Sequence, residues 1–270
     1  MSSPTSTRSR RKSPGRTEAG GTTVDLFLGG RISVVQPQAG HRAGSDAVWL
    51  AAAVEAEAGE HVLDVGAGVG VAGLCLLARE PKLRVTAVEI DPGLCAMAAA
   101  NAARNGLAES VGVIEADVTG PAKALDAKGL IREGYDQVIA NPPYHALGSV
   151  RPAPDLARAS AHVMGDGGLE AWVRFFAAFA APKGRLTLIH RPESLSLLLA
   201  LLERRFGDIA IFPLFPRAGQ AATRIILQGR KGSRGGVLIL PGLVLHEASG
   251  RYTDAAEAVL RGGEALRIGV

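Results

Sequence analysis

The chain has 270 residues, of which 47% are hydrophobic, 21% charged and 4% aromatic. This composition excludes wholesale disorder, and a chain of this length buries about 70–75% of its unfolded surface without a disulfide or metal staple. The formal net charge of +4 sits in the first twenty residues, where Arg8, Arg10, Arg11, Lys12 and Arg16 stand against one acid, Glu18.

Residues 1–23 read as a disordered basic arm, rich in Ser, Pro and Gly. It can remain a solvated tail, tether RNA phosphates electrostatically, or act as a targeting peptide, although it lacks an amphipathic apolar face. Residues 24–270 read as one domain with three parts: a hairpin and helix (24–58), a core (59–230) and a C-terminal extension (231–270). In the first part, Asp25–Gln36 alternates loosely around Gly29-Gly30, which predicts a hairpin. Ser45 is placed to cap a helix running to about Glu57.

A strand–helix alternation follows. Short apolar runs at His61–Val65, Arg84–Ile90, Val111–Ala116, Tyr135–Ala140 and Arg185–His190 suit strands buried on both faces of a parallel sheet. Helices are predicted at Val69–Arg79, Pro92–Asn105, Leu169–Ala181 and Glu193–Phe206. The second of these has Asp91 to cap it, Pro92 in its first turn and Gly106 after its end. Ile209–Leu214 and Thr223–Gln228 read as two strands with no helix between them, hence an antiparallel hairpin. A further pair around Val237–His246 and a helix over Asp254–Arg261 close the chain. The expected fold is α/β: a doubly wound, Rossmann-like, mainly parallel seven-stranded sheet with an antiparallel C-terminal edge hairpin.

Cys75 and Cys95 form no CxxC and have no histidine at ligand spacing, so neither a disulfide nor a metal site is expected. They read as reduced, buried helical residues of a cytoplasmic protein. No apolar run approaches the ~20 residues of a membrane span, and no apolar signal segment opens the chain.

Three strand ends carry chemistry. The first reads Asp64-Val65-Gly66-Ala67-Gly68-Val69-Gly70. Its glycines permit a tight turn and let the backbone approach a ligand. Gly68–Gly73 also satisfies GxGxxG with Glu89 downstream, so a dinucleotide remains a competing ligand. The phasing DxGxGxG, with Asp64 two positions before the first glycine, resembles the first motif of S-adenosylmethionine-dependent methyltransferases. In that setting Asp64 can position the cationic methionine end. Glu89, ending the second strand, can accept both ribose hydroxyls, and Asp117, after the third, can accept from an adenine amino group. Asp91 is assigned to helix capping instead.

The fourth strand runs into Asn141-Pro142-Pro143-Tyr144, the most informative tetrapeptide of the chain. Two prolines fix an extended loop. The Asn141 side-chain oxygen and the Pro142 carbonyl can then accept both hydrogens of a planar amine, while Tyr144 stacks on the plane that carries it. An amine conjugated to a ring is a poor nucleophile. Holding both N–H bonds steers its lone pair toward a methyl sulfonium, so that positioning carries much of the catalysis. His145, beside this loop, has no adjacent acid that would make it a base.

DVGAGVG, VEID, EAD and NPPY occur in an order and spacing that resemble the amino-directed class I methyltransferases. Upstream, Gln36-Pro37 followed by Gly40-His41-Arg42-Ala43-Gly44-Ser45-Asp46 is similar to the entry segment of the tRNA1(Val) adenine-37 N6-methyltransferase family. Glu247 with Gly250-Arg251-Tyr252-Thr253 is similar to that family's tail. The resemblance spans roughly residues 24–262. It implies S-adenosylmethionine as methyl donor and N6 of an unpaired anticodon-loop adenine in tRNA as acceptor. Carried over by motif, Gly66, Gly68, Glu89 and Asp117 hold the donor, with Ala67, Ile90 and Val118 adjoining them. Asn141, Pro142, Pro143 and Tyr144 hold the acceptor, Asn141 also bordering the donor, and Arg42 and Asp46 border its methionine end. The basic arm, and a variable insertion at Asp126–Gly134, depart from the family pattern.

Arg217, Arg224, Arg230, Lys231 and Arg234 are candidate phosphate contacts or ordinary surface charge. Trp49 and Phe215 are further aromatics, Trp49 being better suited to the core. NPPY also serves protein-glutamine N5-methyltransferases, which carry a helical N-terminal domain that this chain has little room for. An NAD-dependent oxidoreductase would use the glycines and Glu89 and leave NPPY unexplained.

Overall fold

The computed structural model describes residues 17–18, 21–40, 42–143 and 168–268. A small antiparallel sheet comes first, made of β1 (Thr17–Glu18), β2 (Thr22–Phe27) and β3 (Ile32–Pro37). β2 and β3 form the expected hairpin around Gly29-Gly30, both at positive φ. Ordered strand begins inside the segment read as arm, because Thr17–Glu18 pairs with Thr22–Thr23. Residues 1–16, with all five basic side chains of the arm, lie outside the described residues.

Helix α1 (Ser45–Ala53) is buried from Ala47 onward. Its cap position is Gly44, one residue before the expected Ser45. The helix stops at Ala53 because Val54 turns extended, at φ −79° and ψ 118°. Trp49 is core.

The main sheet contains β4 (His61–Val65), β5 (Arg84–Glu89), β6 (Val111–Glu115), β7 (Tyr135–Ala140), β8 (Ala180–His190), β9 (Phe206–Arg217) and β10 (Arg224–Lys231). Their spatial order is β6-β5-β4-β7-β8-β10-β9. The first five are parallel, and β10 runs antiparallel between β8 and β9. Beyond the seven expected strands, β11 (Val237–Ile239) and β12 (Leu243–His246) pair in parallel with β9, giving nine among the described residues.

The helices of this region are α2 (Val71–Arg79), α3 (Pro92–Arg104), α4 (Ala122–Ala127), α5 (Gly168–Phe179), α6 (Leu195–Leu202) and α7 (Asp254–Glu257), the last continuing as a π-turn at Ala258–Gly262. α3 is punctuated as predicted: Asp91 accepts from the amides of Gly93 and Leu94, and Gly106 has φ +71°. α4 runs into the expected insertion and buries Leu125. α6 is shorter than predicted, because Glu203 leaves the helix at ψ 140° and Phe206 already belongs to β9.

Period-two alternation sorts the strand residues between two apolar layers. Val62 faces α1 and α2, whereas Leu63 and Val65 face the layer of Trp172, Phe176 and Phe179 on α5. Asp64 therefore projects toward α2. Cys75 and Cys95 are free and buried in α2 and α3. No helix among the described residues is long and apolar enough to cross a membrane.

Candidate active site

Connections leave β4 and β7 toward opposite edges of the sheet, which opens a crevice at their C-terminal ends. Val65 pairs with Ala140 on one side and with Val88 on the other. Gly66, Asn141 and Glu89 are thus the next residues on three adjacent strands, each about 4.8 Å from its neighbour strand.

The glycine turn is bound to β5, since the amides of Gly66 and Ala67 both donate to the Val88 carbonyl, at 2.8 and 3.0 Å. Gly66 and Gly68 have φ of +69° and +56°. A Cβ on Gly66 would collide with the Trp172 ring, whereas one on Gly68 would meet nothing within 4 Å. The turn is closed beneath and open above, so a ligand can lie against its backbone.

Glu89 fixes the mouth of this turn. One carboxylate oxygen accepts from the Gly68 amide at 2.8 Å; the other accepts from Ile90 at 2.8 Å and Asp91 at 3.1 Å. A carboxylate offers about four acceptor positions, so one stays open to a ligand hydroxyl. Asp64 is fully buried and accepts from the Gly73 amide at 3.2 Å. Burial pushes its carboxyl up to about 7, opposed by that amide and assisted by the negative charge of Glu89.

Glu115 pairs with Glu89, so Asp117 and Val118 lie just past the end of the next strand. Asp117 is exposed and accepts from the Thr119 amide and hydroxyl, at 2.8 and 2.7 Å. Val118 is buried. Pro142 is buried between half-buried Asn141 and Pro143. Tyr144 and His145 lie outside the described residues.

The strand ends therefore bring together Asp64, Gly66, Ala67, Gly68, Glu89, Ile90 and Asn141, with Asp117 and Val118 one strand further out. Arg42 and Asp46 are engaged elsewhere. Arg42 pairs with Asp25 and donates to the Pro37 carbonyl, and Asp46 pairs with Arg224 at 2.8 Å. Among the described residues no cluster of His, Cys, Asp or Glu could hold a metal.

Two residues here carry no motif. Trp172 supports the turn from below; only the apolar face of α5 hints at it in sequence. His190 ends β8, two residues beyond Leu188, the partner of Ala140. Burial holds its imidazole below its ordinary pKa, with the Arg191 carbonyl opposing and the charges of Arg191 and Arg224 assisting. Its strand, β8, is the neighbour of the one that ends at Asn141.

The sequence profile of the methyltransferase small domain matches residues 42–173. A Porphyromonas gingivalis protein named tRNA1(Val) (adenine(37)-N6)-methyltransferase is 34% identical over 173 residues, which cover 62% of this chain. The alignment spans 65% of that relative, just under two thirds of its length. An Aeromonas hydrophila protein of the same name is 30% identical over 223 residues, covering 79% of this chain and 86% of the relative. The solved structure of a predicted O-methyltransferase from Agrobacterium tumefaciens is similar at TM-score 0.71 and 31% identity, covering 83% of this chain and 100% of that one.

Proposed function

The chain belongs to the tRNA1(Val) (adenine(37)-N6)-methyltransferase family, and from that premise we propose that it transfers a methyl group from S-adenosylmethionine to the N6 amine of an unpaired adenine in tRNA. The observation that carries this reading is the register of β4, β7 and β5. It sets a glycine turn with an open upper side, a fixed carboxylate and the Asn141–Pro142 loop at three neighbouring strand ends.

The residues suit the donor. The open face above Gly68 admits a nucleoside, Glu89 keeps an acceptor position for a ribose hydroxyl, and Asp117 stands beyond it for the adenine amino group. Ala67, Ile90 and Val118 line the same strand ends. Asp64, under the turn, places negative charge toward the cationic methionine end. Arg42 and Asp46, which the resemblance places at that end, are held in ion pairs with Asp25 and Arg224 and have no part in this reading of donor binding. When bound, the donor supplies an electrophilic methyl on a sulfonium.

The Asn141 side-chain oxygen and the Pro142 carbonyl accept the two N6 hydrogens, Pro143 keeps the loop extended and Tyr144 stacks on the base. Held this way, the nitrogen lone pair points at the methyl carbon. The N–C bond forms as the C–S bond breaks, and the proton leaves afterward. Two acceptors match an amine with two N–H bonds and not a hydroxyl with one, which favours N- over O-methylation. Among the described residues, the segment before α1 forms a three-stranded β sheet, which does not favour the glutamine-modifying reading. A nicotinamide-dependent oxidoreductase leaves the Asn141 loop without a role. The arm of Arg8, Arg10, Arg11, Lys12 and Arg16 adds sequence-independent contact with RNA phosphates, in the cytoplasm.

The test is tritiated methyl transfer from S-adenosylmethionine to unmodified total tRNA and, in parallel, to peptide release factor. Label recovered as N6-methyladenosine from tRNA is the expected result. Label in release factor alone would reassign the site to glutamine.

A further inference from the structure

A cavity of about 580 Å³ lies between the β2–β3 hairpin, the start of α1 and the π-turn after α7. This is within the ~300–1,000 Å³ range of small-ligand pockets. Of the residues assigned to the active site, Arg42 is the one that lines it among the described residues.

Its walls differ in chemistry. Phe27, Val48 and Leu260 make an apolar floor. Leu26, 67% exposed, also lines the cavity. Tyr252 lines it as well, stacked on His246 with centroids 4.5 Å apart and planes at 25°. Part of the lining is a fixed polar edge. Arg42 pairs with Asp25, and the buried Gln36 amide donates to the same carboxylate at 3.0 Å. Exposed Arg261 completes the lining. A flat apolar slot, an aromatic platform, a rigid donor–acceptor edge and nearby guanidinium groups are together what a nucleobase and its phosphate require.

The cavity also lies at the working end of the sheet. Ser45 lines it, and the next residue, Asp46, pairs with Arg224 at the start of β10. Ile225 of β10 pairs with His190, at the same end of β8 as the Asn141 loop is of β7. An RNA loop that everts one base leaves its neighbours unstacked and in search of a surface.

We propose that this cavity receives a second nucleotide of the RNA, a loop neighbour of the methylated adenine, its base against Tyr252 and Leu26 and its phosphate toward Arg42 and Arg261. The proposal rests on the RNA reading above and adds a recognition site to it.

The test compares KM for unmodified tRNA in the wild-type protein, Tyr252→Ala, Tyr252→Phe and Leu26→Ala, with the S-adenosylmethionine dissociation constant measured on each. Losing a base–aromatic stack raises KM about tenfold in Tyr252→Ala. Tyr252→Phe keeps the wild-type value. Leu26→Ala, at an exposed position that does not bear on folding, raises KM about threefold. Affinity for S-adenosylmethionine stays constant throughout. Unchanged KM in both alanine variants overturns the pocket and leaves the methyltransferase reading standing. A parallel loss of S-adenosylmethionine affinity also overturns it, because the residues would then serve the donor site's fold. A wild-type protein that binds S-adenosylmethionine but labels no RNA overturns both.

Discussion

The six-membered ring of Trp172 fills the space that a side chain on Gly66 would need: a Cβ there would stand 2.6 Å from the ring's Cη2. Gly66 also holds φ +69°, where an L residue is strained. Gly66→Ala therefore meets two opposing terms, backbone strain of about 1 kcal/mol and overpacking of about 1–3 kcal/mol. Trp172→Leu removes only the second. In a double-mutant cycle by urea unfolding, the two substitutions should couple favourably by about 1 kcal/mol or more. Additive values would show that ring and glycine do not compete for space.

Asn101 of α3 joins the hairpin to the glycine turn. Its buried amide accepts from the Val35 amide at 2.8 Å and donates to the carbonyls of Val35 and Val69, at 3.0 and 3.1 Å. Asn105, one turn later, makes the equivalent pair with Ser33. α3 thus acts as an extra strand edge for β3. Asn101→Ala strands buried backbone groups and should destabilise the protein by about 3 kcal/mol. Asn105→Ala, at a less buried position, should cost about half that. Equal, small effects in thermal or urea unfolding would mean that the hairpin is held by its apolar contacts alone.

The β4, β5 and β7 ends were legible because a strand buried on both faces leaves a short apolar run, and because glycine, acid and proline mark where it stops. Glu89 and Asn141 fall where that reasoning puts them. The Asn101 clamp was not legible, since an asparagine inside an alanine-rich helix looks like a surface residue until its backbone partners, 66 and 32 positions away, are known. The contact of Trp172 with Gly66 was hidden in the same way, because it is set by how α5 lies across the sheet. The termini of α6 and β9 were misjudged because Arg204 and Asp208 adopt positive φ with no glycine to announce it. β11 and β12 were expected as a pair, but each joins β9, since the turn at Gly242 is packed against Pro213 of that strand.

Asn141 carries the clearest kinetic prediction. If its side chain holds one hydrogen of the acceptor amine, Asn141→Ala leaves donor binding intact and misdirects the nitrogen lone pair. Misplacing a reacting group by about 1 Å costs about a hundredfold in rate. Single-turnover methyl transfer to tRNA should fall by about that factor, with S-adenosylmethionine affinity within about twofold of wild type. Full activity in Asn141→Ala would remove the loop from the mechanism. A loss confined to S-adenosylmethionine binding would move Asn141 to the donor side.

Asp64 is expected to make stability and donor binding respond to pH in opposite directions. Its carboxyl is raised from 3.8 to about 7 by burial beneath the glycine turn. Between those values the folded protein keeps a proton that the unfolded chain has released. Stability from this group is therefore complete below about pH 4, falls as pH rises toward about 7, and is flat above; the whole change is on the order of 4 kcal/mol. A cationic ligand end near the turn favours the ionised carboxylate, so S-adenosylmethionine should bind more tightly as pH rises through the same window. Asp64→Asn should flatten both profiles between about pH 5 and 7. Urea unfolding and calorimetric titration across that range measure them separately. Wild-type and Asp64→Asn profiles that run parallel in both would show that the proton taken up on folding belongs to another group.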